Sequence, residues 1–396
     1  MIPGRSVLWL GVAQLISWGI TYYLIGGFGD AMAADLGWGR DAVYGGFSAA
    51  LLVMALASPL AGRWIDRHGG RRVMTAGSLV NAAGCLALAA SHHPATYYAA
   101  WLVLGVAMRL TLYDAAFAAL ARIGGASARR AMAQITLLGG LASTVFWPLG
   151  HAIAGRVGWR GAVAVYAGFA LLTVPLHLAL PDKRHDPDAD AGAGDAGSDP
   201  GAGPAASRGD RAVAGVLYAG IAALAAFLNA GMSSHMIGLY TGLGIAMSAA
   251  VQIATLRGIG QSAARLAEVV FGRRIDPLTL NLAAAALLPV CFVVGLFSGR
   301  SAAAAAGFAL GYGVANGALT ITRGTLPLVL LDPRAYGTEV GRLLVASFVL
   351  SSAAPVIYAA VIERLGAAGA LAMSLAAAGL VLAAAVVLRL RFRARA

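Results

Sequence analysis

The feature that most limits what this 396-residue chain can fold into is a run of twelve apolar stretches, 19 to 26 residues each, separated by short polar turns. They cover 6–28, 43–61, 73–91, 95–120, 131–154, 161–180, 212–237, 246–270, 278–298, 301–325, 337–361 and 366–388. At about 1.5 Å per helical residue, each crosses a hydrocarbon layer of about 30 Å. Water-soluble domains carry roughly 25% charged residues. This chain has 12% charged and 59% hydrophobic residues, so a polytopic all-helical membrane protein is the class that fits. The first stretch is too long for a signal-peptide core and lacks a clear cleavage site, so it reads as a retained helix. Between the sixth and seventh stretches, residues 181–211 are rich in Asp, Gly, Ala, Pro and Ser without apolar periodicity. That composition predicts a flexible linker joining a six-helix half, 1–180, to a second, 212–396.

The net charge of +12 is carried in the turns, not on one helical face, which argues against nucleic acid as a partner. With both ends on one side, that side holds twenty Lys and Arg and the other five. The positive-inside rule then predicts cytoplasmic termini and linker in a bacterial-type inner membrane. The partners expected are the lipid bilayer and a small-molecule solute. Cys85 and Cys291 both fall inside apolar stretches without metal or disulfide spacing, and read as packing residues. No cofactor and no metal site are expected. No phosphate-binding glycine loop and no nucleophile–base pair is recognisable, so the chain does not read as an enzyme or an ATP-driven pump.

Between the second and third stretches lies Gly62-Arg63-Trp64-Ile65-Asp66-Arg67-His68-Gly69-Gly70-Arg71-Arg72. One acid and four arginines so close together belong in water beside the membrane, since each charge at the bilayer centre costs on the order of 3 kcal/mol. The glycines permit a tight reversal, and the arginines can cap helix ends or bind Asp66 in bidentate fashion. A shorter copy, Gly272-Arg273-Arg274-Ile275-Asp276, repeats G-R-x-I-D at an offset of 210 residues (272 − 62). It has Pro277 where Arg67 stands in the first copy. Two similar halves are the usual build of secondary transporters.

The pattern G-x-x-x-D-R-x-G-x-R-R, filled by Gly62, Asp66, Arg67, Gly69, Arg71 and Arg72, closely resembles the loop between helices 2 and 3 of the major facilitator superfamily. The six-plus-linker-plus-six layout resembles that fold as well. The resemblance implies a secondary transporter with two pseudo-symmetric six-helix halves, working by alternating access, in which this loop and its copy at Gly272 and Asp276 gate the conformational change. It also implies that helices 1, 4, 7 and 10 line a central cavity and helices 2, 5, 8 and 11 form its other walls.

Charged residues at membrane depth are by default pathway or partner residues. Arg109, Arg257, Arg265 and Arg323 lie inside stretches 4, 8 and 10. Helical spacing aligns Arg257, Gln261, Arg265 and Glu268 in one stripe, and Tyr312, Asn316 and Arg323 in another. In stretch 4, Arg109 and Tyr113 share a face and Asp114 points away, expected to pair with an arginine of the cytoplasmic turns. Stretch 1 offers Gln14 and Trp18; stretch 7 offers Asn229 and Ser233, with His235 roughly opposite them. Candidate substrate residues are therefore Gln14, Trp18, Arg109, Tyr113, Asn229, Ser233, Arg257, Gln261, Tyr312, Asn316 and Arg323. Of these, Arg109 and Arg257 are expected to face substrate, while Glu268 is expected to pair with Arg265 and Arg323 can snorkel.

Two departures narrow the subtype. Proton-coupled drug antiporters of the superfamily carry R-x-x-x-G in helix 4, where this chain has Trp101-Leu-Val-Leu-Gly105. Their helix 5 carries G-P-x-x-G-G, where this chain reads Trp147-Pro148-Leu-Gly150-His151. The arginine-bearing cavity instead resembles the organic-anion and monocarboxylate branches, where guanidinium groups clamp carboxylates. A small organic anion is the expected substrate, with protons as the candidate coupling ion and a monomer as the working unit. An exporter of a neutral or amphipathic compound, with structural arginines, is the alternative.

Overall fold

The computed structural model describes residues 3–124, 128–182, 208–271, 275–330, 343 and 345–392. Gly272 and most of the 181–211 segment lie outside the described residues. Among the described residues fourteen helices follow in order: α1 Gly4–Ile20, α2 Leu24–Leu36, α3 Arg40–Leu56, α4 Ser58–His68, α5 Gly70–Ala89, α6 Pro94–Thr111, α7 Tyr113–Gly124, α8 Ala128–Gly140, α9 Ala142–Leu178, α10 Arg208–Gly242, α11 Met247–Phe271, α12 Pro277–Gly295, α13 Ala302–Leu330 and α14 Val345–Phe392.

These helices make twelve crossings. The pairs α1–α2, α3–α4 and α6–α7 are each one span with an internal break, and α8 runs into α9 in the same way. The 37-residue α9 and the 48-residue α14 each supply two spans, because each reverses at a glycine that only a residue without a Cβ tolerates well: Gly158 at φ 70° and Gly366 at φ 70°. The two reversals are 208 residues apart (366 − 158), within two residues of the repeat offset in the sequence. An even number of crossings puts the start of α1 and the end of α14 on one face, which also carries the 62–72 segment. That face is called the loop side below. Helix α10 begins at Arg208, inside the expected linker.

Each half closes on itself first, α5 against α9 and α6 in the N-terminal half, α11 against α13 and α10 against α14 in the C-terminal half. Two seams then join the halves: α3 along α14, and α8 with α9 along α11. Small residues let the backbones touch. A Cβ on Gly313 of α13 would collide with the carbonyl of Arg257, and one on Gly260 of α11 with the carbonyl of Leu310. Close backbone approach of this kind is how helices pack in lipid, where no hydrophobic force drives them together. It holds Arg257 directly against α13.

The Gly62–Arg72 segment is not the aqueous loop expected. Helix α4 continues through His68 and α5 resumes at Gly70, so only Gly69, at φ 84° and ψ 149°, leaves helical geometry. Pro59 near its N-terminus starts α4, which bends 51° from α3. Its charged face (Arg63, Asp66, Arg67) is exposed while Ala61 and Ile65 are buried.

Candidate functional site

Three N-terminal-half spans break near the middle of the bundle, and each break is repaired by side chains. In the first span Thr21, at φ −122° and ψ −74°, ends α1, and the Thr21 hydroxyl donates to the Ser17 carbonyl at 2.6 Å. The Tyr23 carbonyl accepts the indole N–H of Trp147 at 3.1 Å. In the fourth span Leu112 is extended (φ −80°, ψ −172°), and the amide of Ala115 turns to the Leu112 carbonyl. That leaves the Thr111 carbonyl free, and the Gln14 amide fills it at 2.7 Å. In the fifth span the Leu141 amide bonds Leu138, and the Leu137 carbonyl so released accepts the Ser262 hydroxyl at 3.0 Å. Irregular backbone at membrane depth survives only where it is buried in protein or lines a cavity.

All three breaks border one cavity of about 430 Å³ between the halves. From the N-terminal half, Trp18, Tyr22, Tyr23, Tyr113 and Phe117 form its wall, with Asp114 the one acid among the described lining residues. From the C-terminal half come Asn229, Gln261, Asn281, Asn316, Arg265 and Arg323. The positions of these residues along their helices place the cavity in the loop-side half of the bundle. The other end is sealed. His235 of α10 is stacked between Tyr44 of α3, 4.0 Å away, and Tyr358 of α14, 5.9 Å away. Its Nε2–H donates to the Pro355 carbonyl at 2.8 Å, which fixes the tautomer because a carbonyl only accepts. Tyr44 also reaches Asp30, which pairs with Arg40 at 2.8 Å.

Behind Asn229 lies Arg257, fully buried (0% exposed). Its Nη2 donates to Asn229 Oδ1 at 2.7 Å and to the Ser233 hydroxyl at 2.9 Å. The guanidinium carbon stands 5.5 Å from the Tyr23 ring centre and 5.6 Å from that of Tyr312. No ion pair joins it to a carboxylate among the described residues, and Nε and Nη1 have no partner. Asn316 Nδ2 also donates to Asn229 Oδ1, at 2.9 Å. Asn229 is therefore a hub whose carbonyl is fixed toward two donors, and its own amide reaches the Tyr22 hydroxyl at 3.4 Å. A buried ion costs several kcal/mol unless something compensates it. Two aromatic faces and two neutral acceptors leave that compensation incomplete.

The sequence-predicted residues divide. Trp18, Tyr113, Asn229, Gln261, Asn316 and Arg323 line the cavity, and Arg257, Ser233 and Tyr312 form the layer behind it. Gln14 and Arg109 do not line it. Gln14 caps the Thr111 carbonyl, and Arg109 pairs with Asp114. The straight-helix phasing that set Arg109 beside Tyr113 and turned Asp114 away fails because Leu112 interrupts the helix between them. Arg265 does not pair with Glu268 either. It crosses to the other half, donating to the Thr136 carbonyl and to the Tyr113 hydroxyl. Arg323 lies over the Phe348 ring at 5.9 Å and makes no ion pair among the described residues. Sequence reasoning missed Tyr22, Tyr23 and Asn281; the spacing of Trp18, Tyr22 and Tyr23 (i, i+4, i+5) carried the signal for the first two.

On the loop side the expected Asp66–arginine pair is not formed. The Asp66 carboxylate is exposed without an ion pair among the described residues, because it sits on the outer face of α4; its carbonyl accepts Arg122 Nε at 3.2 Å. Asp276 has a different place from Asp66. It caps α12, accepting the Thr279 amide at 2.9 Å, with Arg389 at 3.8 Å. Slight burial pushes its carboxyl upward, but hydrogen bonds from Thr279 and Leu278 and the Arg389 charge outweigh this and hold it below the usual carboxylate range.

A cavity between two six-helix halves, closed at one end by the Tyr44–His235–Tyr358 stack, suits a transporter. Residues 10–355 match the family model of the Major Facilitator Superfamily. The chain belongs to the major facilitator superfamily. No curated protein matches it in sequence. Among solved structures, a bacterial homolog to the human lysosomal transporter Spinster, in an inward-facing and occupied conformation, superposes with a TM-score of 0.69 at 15% identity, covering 98% of this chain and 96% of that one. The nucleoside transporter NupG superposes with a TM-score of 0.67 at 15% identity, covering 98% of each chain. At such identity these likenesses establish the fold alone. As a superfamily member the chain is a multi-pass membrane transporter of small solutes.

Proposed function

We propose that this superfamily member is a secondary transporter that carries a small organic anion, a carboxylate, by alternating access. The observation that carries the reading is Arg257, a fully buried cation with two donors unmet and no carboxylate partner among the described residues. Arg265 and Arg323 add two guanidiniums in the wall, and the lining acid, Asp114, is already neutralised by Arg109. A cavity with this balance attracts an anion, and planar guanidinium forks suit carboxylates. The Lys and Arg count of twenty against five favours cytoplasmic termini and a cytoplasmic 181–211 linker in a bacterial-type inner membrane. One chain encloses the whole cavity, which supports a monomer. Export of a neutral or amphipathic compound is the competing reading; the aromatic wall favours it, and guanidiniums without a carboxylate partner among the described residues oppose it.

Uptake of radiolabelled carboxylates into proteoliposomes, with and without a pH gradient, tests the proposal. Saturable carboxylate flux supports it, and acceleration by the gradient identifies protons as the coupling ion. Flux of neutral analogues with none of carboxylates contradicts it.

A further inference from the structure

The cavity has two unlike faces. Of its seven aromatic rings, five come from the N-terminal half (Trp18, Tyr22, Tyr23, Tyr113, Phe117), while Tyr218 and Phe348 from the other half stand toward the loop side. The five form one surface. Trp18 lies 4.9 Å from Tyr22 and 4.8 Å from Tyr113, and Tyr113 lies parallel to Phe117, 5.6 Å away with planes 9° apart. The described side-chain amides of the wall (Asn229, Gln261, Asn281, Asn316) and the guanidiniums of Arg265 and Arg323 come from the C-terminal half, and Arg265 already reaches the Tyr113 hydroxyl. The Trp18 indole N–H is buried without a partner among the described residues, a donor left over within the aromatic surface.

A small hydrophilic anion such as acetate would leave this aromatic surface against water. A ligand with one flat apolar face and one anionic edge satisfies both walls. A volume of about 430 Å³ lies within the range of roughly 300–1,000 Å³ typical of sites for ring-bearing ligands. We infer that the substrate is an aromatic carboxylate, its ring laid on Trp18, Tyr22 and Tyr113 and its carboxylate turned to the amides and guanidiniums opposite. The inference rests on the anion reading above and adds the aromatic face. Because the five-ring surface belongs to one half and the amides and guanidiniums to the other, such a ligand ties the two halves together. An anion lacking the ring engages only one of them.

The test is calorimetric titration of the purified, full-length protein with acetate, cyclohexanecarboxylate, benzoate, 2-naphthoate and the neutral 2-naphthamide. The ring-specific part of an aromatic contact, beyond area, corresponds to roughly a two- to tenfold change in dissociation constant. Benzoate is expected to bind two- to tenfold tighter than cyclohexanecarboxylate, although the latter is more apolar, and 2-naphthoate tighter than both. Trp18→Leu should bring the benzoate to cyclohexanecarboxylate ratio close to one. If the variant does not fold, the wild-type series decides alone. Cyclohexanecarboxylate binding as tightly as benzoate, or acetate as tightly as 2-naphthoate, overturns the aromatic inference and leaves the anion reading standing. Binding of 2-naphthamide equal to that of 2-naphthoate overturns the anion reading instead. Binding of no carboxylate at millimolar concentration overturns both.

Discussion

Asn229→Asp puts a carboxylate into the one acceptor that Arg257 shares with Asn316. The side chains are isosteric. One oxygen of the new carboxylate would keep the Arg257 contact at 2.7 Å and the Asn316 contact at 2.9 Å, and the other would accept from the Tyr22 hydroxyl, now 3.4 Å from the Asn229 amide. Burying a new charge is ordinarily expensive, but here the cation is already buried and desolvated, so the added anion relieves a cost present in the native protein. A hydrogen bond to a charged partner is worth about 1.5–3 kcal/mol net, against about 1 for a neutral pair. The variant should therefore melt at or above the wild-type temperature. Its cavity should lose affinity for anions, because the positive charge just behind the Asn229 wall is neutralised. Losing about 1.5–3 kcal/mol corresponds to roughly a ten- to hundredfold rise in dissociation constant. Melting curves and benzoate titration on the same preparation read both effects. A variant as stable as wild type that binds benzoate equally well would refute the reasoning.

Three further outcomes follow from other parts of the molecule. Asp66→Ala should leave this state intact, since the carboxylate is exposed and makes no ion pair among the described residues, yet slow transport, because the family resemblance makes this segment a gate of the conformational change; normal flux in proteoliposomes would confine the segment to topology. Gly313→Ala drives a methyl into the Arg257 carbonyl, so the α11–α13 contact must open and the thermal midpoint should fall, whereas Gly324→Ala, whose added Cβ meets no described atom within 4 Å, should not lower it. Asp276→Ala removes a helix cap worth about 0.5–2 kcal/mol. Its carboxyl is held low in the folded state, so the stabilisation is complete above the ordinary carboxylate range and fades as pH falls through the lowered value. Melting of wild type and variant should converge toward acid pH, and a constant gap from neutral to acid would contradict the assignment.

The apolar periodicity was enough to read the fold. The twelve stretches agree with the crossings wherever the residues are described, the start of 337–361 lying outside them, and the α11 stripe of Arg257, Gln261 and Arg265 follows from spacing on an unbroken helix. What spacing could not reveal is where helices stop. The break at Leu112 is decided by Gln14, 97 residues away, offering a side chain to the Thr111 carbonyl, and the break at Leu141 by Ser262 on the other half. Such caps are tertiary, and they turn the phase of everything beyond them. Tyr113 faces the cavity across the break, while Asp114 folds back onto Arg109 and removes it from the candidate site. The reverse happened at Gly62–Arg72, where charge density suggested a loop and the chain needs only Gly69 to turn.

The most direct measurement of the central claim is the affinity of purified, folded Arg257→Gln protein for a carboxylate. Glutamine keeps a donor for Asn229 and Ser233 but removes the charge, so a melting curve first establishes that the variant is folded. The dissociation constant is expected to rise roughly ten- to hundredfold above wild type, with Arg257→Lys recovering only part because a point charge does not reproduce the planar fork. An unchanged affinity in folded Arg257→Gln protein would contradict it.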